Sequence, residues 1–134
     1  MTIILGYTPS PEGLAALDFA LAEAKAHGDR LLAINAGIGE ARPTEEKGLC
    51  DDDQLHRLRA VLEDSGVDHA VEQHLRGKDA AEELLDAVQT TPDTRMLVIG
   101  SRRRSAVGKL IMGSIAQRLI LGSDVPVVSV KAPH

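Results

Sequence analysis

Five short apolar runs, each separated from the next by a stretch of helical periodicity, constrain this chain more than any other feature. They are Thr2 to Tyr7, Arg30 to Ala36, Val67 to Leu75, Arg95 to Ile99 and Val125 to Val130. Thr2–Tyr7, Arg30–Ala36 and Arg95–Ile99 show no polar alternation, which marks strands covered on both faces. Val67–Leu75 alternates, with Val67, His69, Val71, Gln73 and Leu75 on one face, as expected at or near a sheet edge. Val125–Val130 is read as a strand with Pro126 inside it.

The intervening stretches read as amphipathic helices. The first has Ser10 as N-cap and Pro11 at its first position, carries Leu14, Leu17, Ala20, Leu21 and Ala24, and ends near His27-Gly28. Asp51, Asp52 and Asp53 open the second, where acidic side chains favour the positive end of the helix dipole. Its stripe is Leu55, Leu58, Val61 and Leu62, and Ser65-Gly66 ends it. The third follows Gly77-Lys78-Asp79 through Ala80, Leu84, Leu85 and Val88 to Thr90-Thr91-Pro92. The fourth runs from a Ser114 cap through Ile115, Leu119 and Ile120 to Gly122. Strands alternating with helices predict an α/β fold, a mainly parallel open sheet with right-handed crossovers and helices on both faces. The 134 residues are enough for one domain with a real core, and residues 1–134 read as a single unit. The stretch from Gly37 to Leu49 has no periodicity and reads as a long loop.

Composition excludes several functions. Tyr7 and Phe19 are the only Phe, Tyr or Trp residues and the net charge is −5, so neither a stacking platform nor a general nucleic-acid surface is expected. The local basic patch Arg102, Arg103, Arg104 and Lys109 suits a small anion. Cys50 is the one cysteine, so no intrachain disulfide can form; it reads as a free thiol in a surface loop. No run is long and apolar enough for a bilayer and no leader pattern precedes Ile3, so no membrane association and a cytoplasmic location are expected.

Catalytic patterns are lacking. The sequence has no metal-binding Cys/His spacing, no His-Glu-x-x-His and no nucleophile elbow. His69 and His74 are five residues apart, hence on opposite faces of a strand, and read as surface or partly buried side chains. Gly108-Lys109 is followed by Leu110, which fails the Walker pattern, and no Gly-x-Gly-x-x-Gly follows the first strand. What remains is Met96-Leu97-Val98-Ile99-Gly100, a strand running into a basic loop that re-emerges at Gly113-Ser114, where a helix starts. That arrangement aims backbone N–H groups and a helix dipole at the carboxyl end of a strand, where anions bind in open α/β sheets. Gly100 would let the chain leave the strand sharply, and Ser114 would add a hydroxyl and the cap.

These residues resemble the carboxy-terminal signature of the universal stress protein family: Gly-x-x-Gly, nine further residues, then Gly-Ser or Gly-Thr. Gly100, Gly113 and Ser114 match, and Arg103 stands at the second glycine. The likeness extends to Ile3-Ile4-Leu5-Gly6-Tyr7 with Ser10-Pro11, and to Asp124-Val125-Pro126-Val127-Val128-Ser129-Val130. It implies a five-stranded, mainly parallel sheet in the order 3-2-1-4-5, Rossmann-like and similar to the adenine nucleotide alpha hydrolases, with the switch point between the first and fourth strands. It also implies a stress-response protein that binds ATP or AMP, with or without Mg, as a sensor or regulator with little or no catalysis. Tyr7, Thr8 and Ala36 would line the adenosine side, and Gly100, Arg102, Arg103, Gly113 and Ser114 the phosphates. Thr8 replaces the aspartate usual in ATP-binding members, leaving a hydroxyl without a carboxylate. Arg103 would either crowd the pocket or pair with a phosphate. The alternative function is a protein of the same fold that has lost nucleotide binding and acts through protein contacts. Both readings predict a homodimer through the Val125–Val130 edge, which needs covering.

Overall fold

A computed structural model of the chain describes residues 1–36, 48–75, 79–102 and 113–133. Strand β1 (Thr2–Gly6) leads to helix α1 (Pro11–His27), then β2 (Arg30–Ala36), α2 (Asp52–Ser65), β3 (His69–His74), α3 (Ala80–Thr90), β4 (Thr94–Ser101), α4 (Ser114–Gly122) and β5 (Val127–Lys131). The sheet is parallel throughout, in the order β3-β2-β1-β4-β5. This is the α/β architecture expected from the sequence, with β1 at the centre and the direction of strand addition reversing between β1 and β4.

Alternate residues of each strand feed two cores. Ile3, Leu5, Leu31, Ala33, Met96 and Val98 face α1 and α2, meeting Leu17, Leu21, Leu55, Leu58 and Leu62. Ile4, Leu32, Ile34, Leu97 and Ile99 face the other way, onto Ala81, Leu84, Val88 and Leu119. Burial on both faces explains why these strands are aliphatic without alternation. Leu14, Val61 and Ile120, assigned to apolar stripes by spacing, are exposed instead. The buried stripe of α1 is Gly13, Ala16, Leu17, Ala20, Leu21 and Ala24, which leaves Leu14 on the shoulder.

Two strand ends differ from expectation. β5 starts at Val127 rather than Val125, so Pro126 precedes the strand; its carbonyl accepts from the Leu97 N–H at 2.9 Å, and its missing N–H costs the ladder nothing. β4 runs on to Ser101, and Gly100 pairs with Val130 inside it without a left-handed backbone, so Gly100 does not end the strand. Its need for glycine comes from packing. A Cβ at Gly100 would lie 2.4 Å from the carbonyl oxygen of Glu12, and one at Gly13 would lie 1.8 Å from that of Thr8. The first turn of α1 is thus pressed between the β1–α1 turn and the end of β4. Gly100→Ala is expected to lower stability by about 2 kcal/mol through overpacking. Urea unfolding measures this, and an unchanged midpoint would contradict it.

At the other edge, His74 ties β3 to α3. Its Nδ1 lies 2.5 Å from Glu83 Oε2 and its Nε2 3.1 Å from Glu72 Oε1. Burial disfavours the charged ring, but hydrogen bonds and attraction to Glu72 and Glu83 outweigh it and raise the pKa. Only the imidazolium donates from both nitrogens. A group whose pKa is raised by folding stabilises fully below its unfolded value and loses that contribution as pH rises through the folded value. The deficit of His74→Gln should therefore be largest at pH about 5.5 and shrink toward pH about 9. Thermal melts across that range test it; a deficit independent of pH would rule out the paired imidazolium.

Candidate functional site

In an open parallel sheet the crevice forms beyond the carboxyl ends of the strands, where the strand order reverses. Here that point lies between β1 and β4, with Gly6 in register with Ile99. Each expected site residue has a definite place around it. Tyr7 follows β1, its N–H donating to the Ile34 carbonyl at 2.9 Å, and its ring is buried in the α1/α2 core. Burial, then the neighbouring Cys50, raises the phenol pKa, and Arg57 partly offsets them. The Tyr7 ring therefore belongs to the core, and its N–H and carbonyl are both taken up by β2, the N–H by Ile34 and the carbonyl by Asn35. Thr8 is half-buried, its hydroxyl 2.9 Å from that of Ser10, which in turn caps α1 by accepting from the Gly13 N–H. Ala36 is the last residue of β2, buried against the α3 side.

On the opposite side, the packing at Gly100 joins the end of β4 to Glu12, Gly13 and, through Gly13, to Thr8. Arg102 is 83% exposed at its side chain and lies 3.7 Å from Glu12 Oε1. Arg103, with Arg104 and Lys109, falls outside the described residues. Gly113, not Ser114, occupies the N-cap of α4, so Ser114 is the first helical residue. The helix therefore starts on a residue that has no side chain to cap it.

That start is unlike the others. Ser10 caps α1, Asp51 forms a capping box with Gln54 on α2, and Asp79 caps α3 by accepting from the Glu82 N–H. Only α4, among the described helices, lacks a side-chain cap. Leading N–H groups of a helix without a side-chain cap are the kind of donor that anions bind. Arg118, in the second turn of α4, pairs with Asp79 and lies 3.6 Å from Glu82. Its hydrogen bond, with that from the Glu82 N–H, holds the Asp79 carboxyl below the usual range. The ion pair fixes α4 against α3 and uses up Arg118.

Sequence reading missed Asn35. It is fully buried at the penultimate position of β2, and its amide nitrogen donates to the carbonyls of Tyr7 at 2.9 Å and Gly48 at 2.7 Å. Its oxygen accepts from the Cys50 N–H at 2.8 Å and from Gln73 Nε2 at 3.0 Å, and Gln73 also donates to the Cys50 carbonyl at 2.8 Å. A polar residue inside an aliphatic strand was the available signal. The network also corrects the expectation for Cys50, which is buried in the α1/α2 core, not in a surface loop. Burial, reinforced by Asp51, raises its pKa, which disfavours the reactive thiolate.

Another concavity, of about 890 Å³, lies where the strands begin and is lined by Lys25, Asp29, Arg30, Asp68 and Asp93 among others. Its charges are of mixed sign, and several are already paired: Asp29 binds Arg95 at 2.7 Å and the Met1 ammonium at 3.5 Å, and Arg30 lies 3.7 Å from Asp68. The helix amino termini point to the other end of the sheet. Among the described residues no group of three or more His, Cys, Asp or Glu side chains is placed to hold a metal ion, and no helix is long and apolar enough to cross a membrane.

Comparison with known proteins agrees with this architecture. Residues 1–131 match the model of the universal stress protein family. A universal stress protein of Mycolicibacterium smegmatis is 44% identical over 132 residues, covering 98% of each chain. Among solved structures, a universal stress protein from Archaeoglobus fulgidus superposes with a TM-score of 0.76 at 26% identity, over 98% of this chain and 93% of that one. A universal stress protein from the same organism, solved in complex with dAMP, superposes with a TM-score of 0.64 at 19% identity, covering 97% and 96%. With its sheet order, its Gly100 and Gly113-Ser114 positions and these matches over nearly its whole length, the chain belongs to the universal stress protein family.

Proposed function

We propose that this protein binds an adenine nucleotide, ATP or AMP, in the crevice between β1 and β4 and serves the stress response as a cytoplasmic sensor or regulator without turnover. The observation that carries this is the start of α4, which has no side-chain cap while α1, α2 and α3 each have one. A phosphate supplies the missing acceptor, and the helix dipole favours its charge. The related dAMP complex supports a nucleotide as the ligand class. Ala36 and the backbone after Tyr7 would meet the adenosine, and Gly113, Ser114, Arg102 and Arg103 the phosphates, with Mg where a polyphosphate is bound. No described side chain is set up as a general base, so the bound state itself is the signal.

One observation favours the second reading, a same-fold protein that works by protein contacts without nucleotide. The Thr8 hydroxyl is already engaged with Ser10 and brings no carboxylate to a ribose. Titration calorimetry of nucleotide-stripped protein with ATP and Mg decides between them. Gly113 has φ −60° and ψ 145°, which any residue adopts, so Gly113→Arg keeps the helix start while filling the phosphate position. The nucleotide reading expects micromolar binding lost in Gly113→Arg. No heat from the folded wild type would leave the protein-contact reading standing.

Under both readings the protein pairs with a second copy through β5, extending the predicted Val125–Val130 edge to the observed strand. β5 is an edge, and the α4 residues Ile120 and Leu121 leading into it are exposed. The Leu97 N–H bonds the Pro126 carbonyl, so by parallel-ladder alternation the Ser129 N–H points away from β4. Ser129→Pro is expected to convert a dimer to a folded monomer in analytical ultracentrifugation. A wild-type monomer, or a variant dimer, would refute pairing along this edge.

A further inference from the structure

We infer that Asn35 is the positioning residue for the adenosine side of the crevice, one buried amide holding the backbone of Tyr7 and of Gly48–Cys50 beside Ala36. The inference rests on the nucleotide reading and adds to it the residue that shapes the base end. Asn35 has two amide hydrogens and two acceptor positions, and all four are used: Tyr7 and Gly48 carbonyls on one side, the Cys50 N–H and Gln73 on the other. Four partners of two kinds also fix its orientation, because a flipped amide would set its oxygen against two carbonyls.

The segments so joined surround the base end. Tyr7 precedes Thr8, Asn35 precedes Ala36, and Gly48–Cys50 is the backbone that returns to the sheet before α2. Gln73 draws β3 into the same network. Hydrophobic packing alone would not set these carbonyls to the accuracy a ligand needs, since it is non-directional. A fully satisfied buried amide does, and removing its donors strands the buried Tyr7 carbonyl and the half-buried Gly48 carbonyl.

Cys50 gives the inference a built-in probe. It is the chain's one cysteine, it is 7% exposed, and its own N–H and carbonyl are held by Asn35 and Gln73. Its reaction with an aromatic disulfide reagent therefore reports opening of the network. By linkage, a ligand that binds the closed arrangement slows that reaction, and opening weakens the ligand by the same factor.

The test uses Asn35→Asp, which keeps the shape but sets a carboxylate against the two carbonyls. With folding confirmed by a cooperative melt, Cys50 is expected to react about tenfold faster and adenosine to bind about tenfold more weakly. Inorganic pyrophosphate, which reaches only the α4 end, should bind the variant and the wild type equally, a split that general destabilisation would not produce. Equal loss of both probes, or unchanged adenosine affinity, overturns the inference while the nucleotide reading stands. A wild type that binds neither probe removes both. If Asn35→Asp does not fold, Gln73→Leu, which removes the edge strand's two hydrogen bonds to Asn35 and Cys50, should give the same pattern at smaller size; wild-type behaviour there overturns the inference equally.

Discussion

A parallel sheet has to be covered on both faces, and this requirement governs the rest of the molecule. Parallel neighbours can be joined only by crossovers that pass over a face, so every connection between consecutive strands carries a helix that covers part of it. The aliphatic strands, the two cores around Leu58 and Leu84, and the gathering of helix amino termini at one end of the sheet all follow. The reversal of strand order between β1 and β4 then opens a crevice at that end. Strand ends and helix amino termini are brought together there by topology before any particular side chain is considered.

Within that crevice the two sides are made differently. The β4 side is backbone: Gly100 admits the first turn of α1, and Gly113 begins α4 without a side-chain cap. The β2 side is a polar network buried in an aliphatic core and centred on Asn35. Backbone N–H groups recognise charge and tolerate many sequences, whereas a saturated amide fixes shape and tolerates few. A nucleotide asks for both, charge recognition at its phosphates and shape at its base. Thr8 sits between the two sides, and its hydroxyl bond to Ser10 is local to the α1 cap.

Much of this was legible in the sequence because it is local. Apolar runs located the strands, and Ser10, Asp51 and Asp79 marked helix starts that the structure shows as side-chain caps. The strand order was not in the periodicity; it came from the family resemblance, and the sheet has it. What failed to show depends on partners distant in the chain. Gly100 looked like a strand end, but its constraint is the Glu12 carbonyl in the first turn of α1, packed against it. Cys50 was read into a surface loop because it follows the aperiodic Gly37–Leu49 stretch, while its neighbours in space are Tyr7, Leu55 and the Asn35 network. Asn35 itself was hidden by the aliphatic run around it. Ser114 and Gly113 exchanged roles at the α4 cap, a one-residue shift that turns a side-chain cap into a bare one.

The central claim is that an anionic nucleotide is held where α4 begins and β1 meets β4. Amide chemical shifts of isotope-labelled protein titrated with AMP test this most directly, since they report residue by residue where the ligand lies. The account predicts saturable changes concentrated at Thr8, Ala36, Gly100 and Gly113 through Ala116. Changes centred instead on Asp29, Arg30 and Asp93 at the other end of the sheet, or none at all, would contradict it.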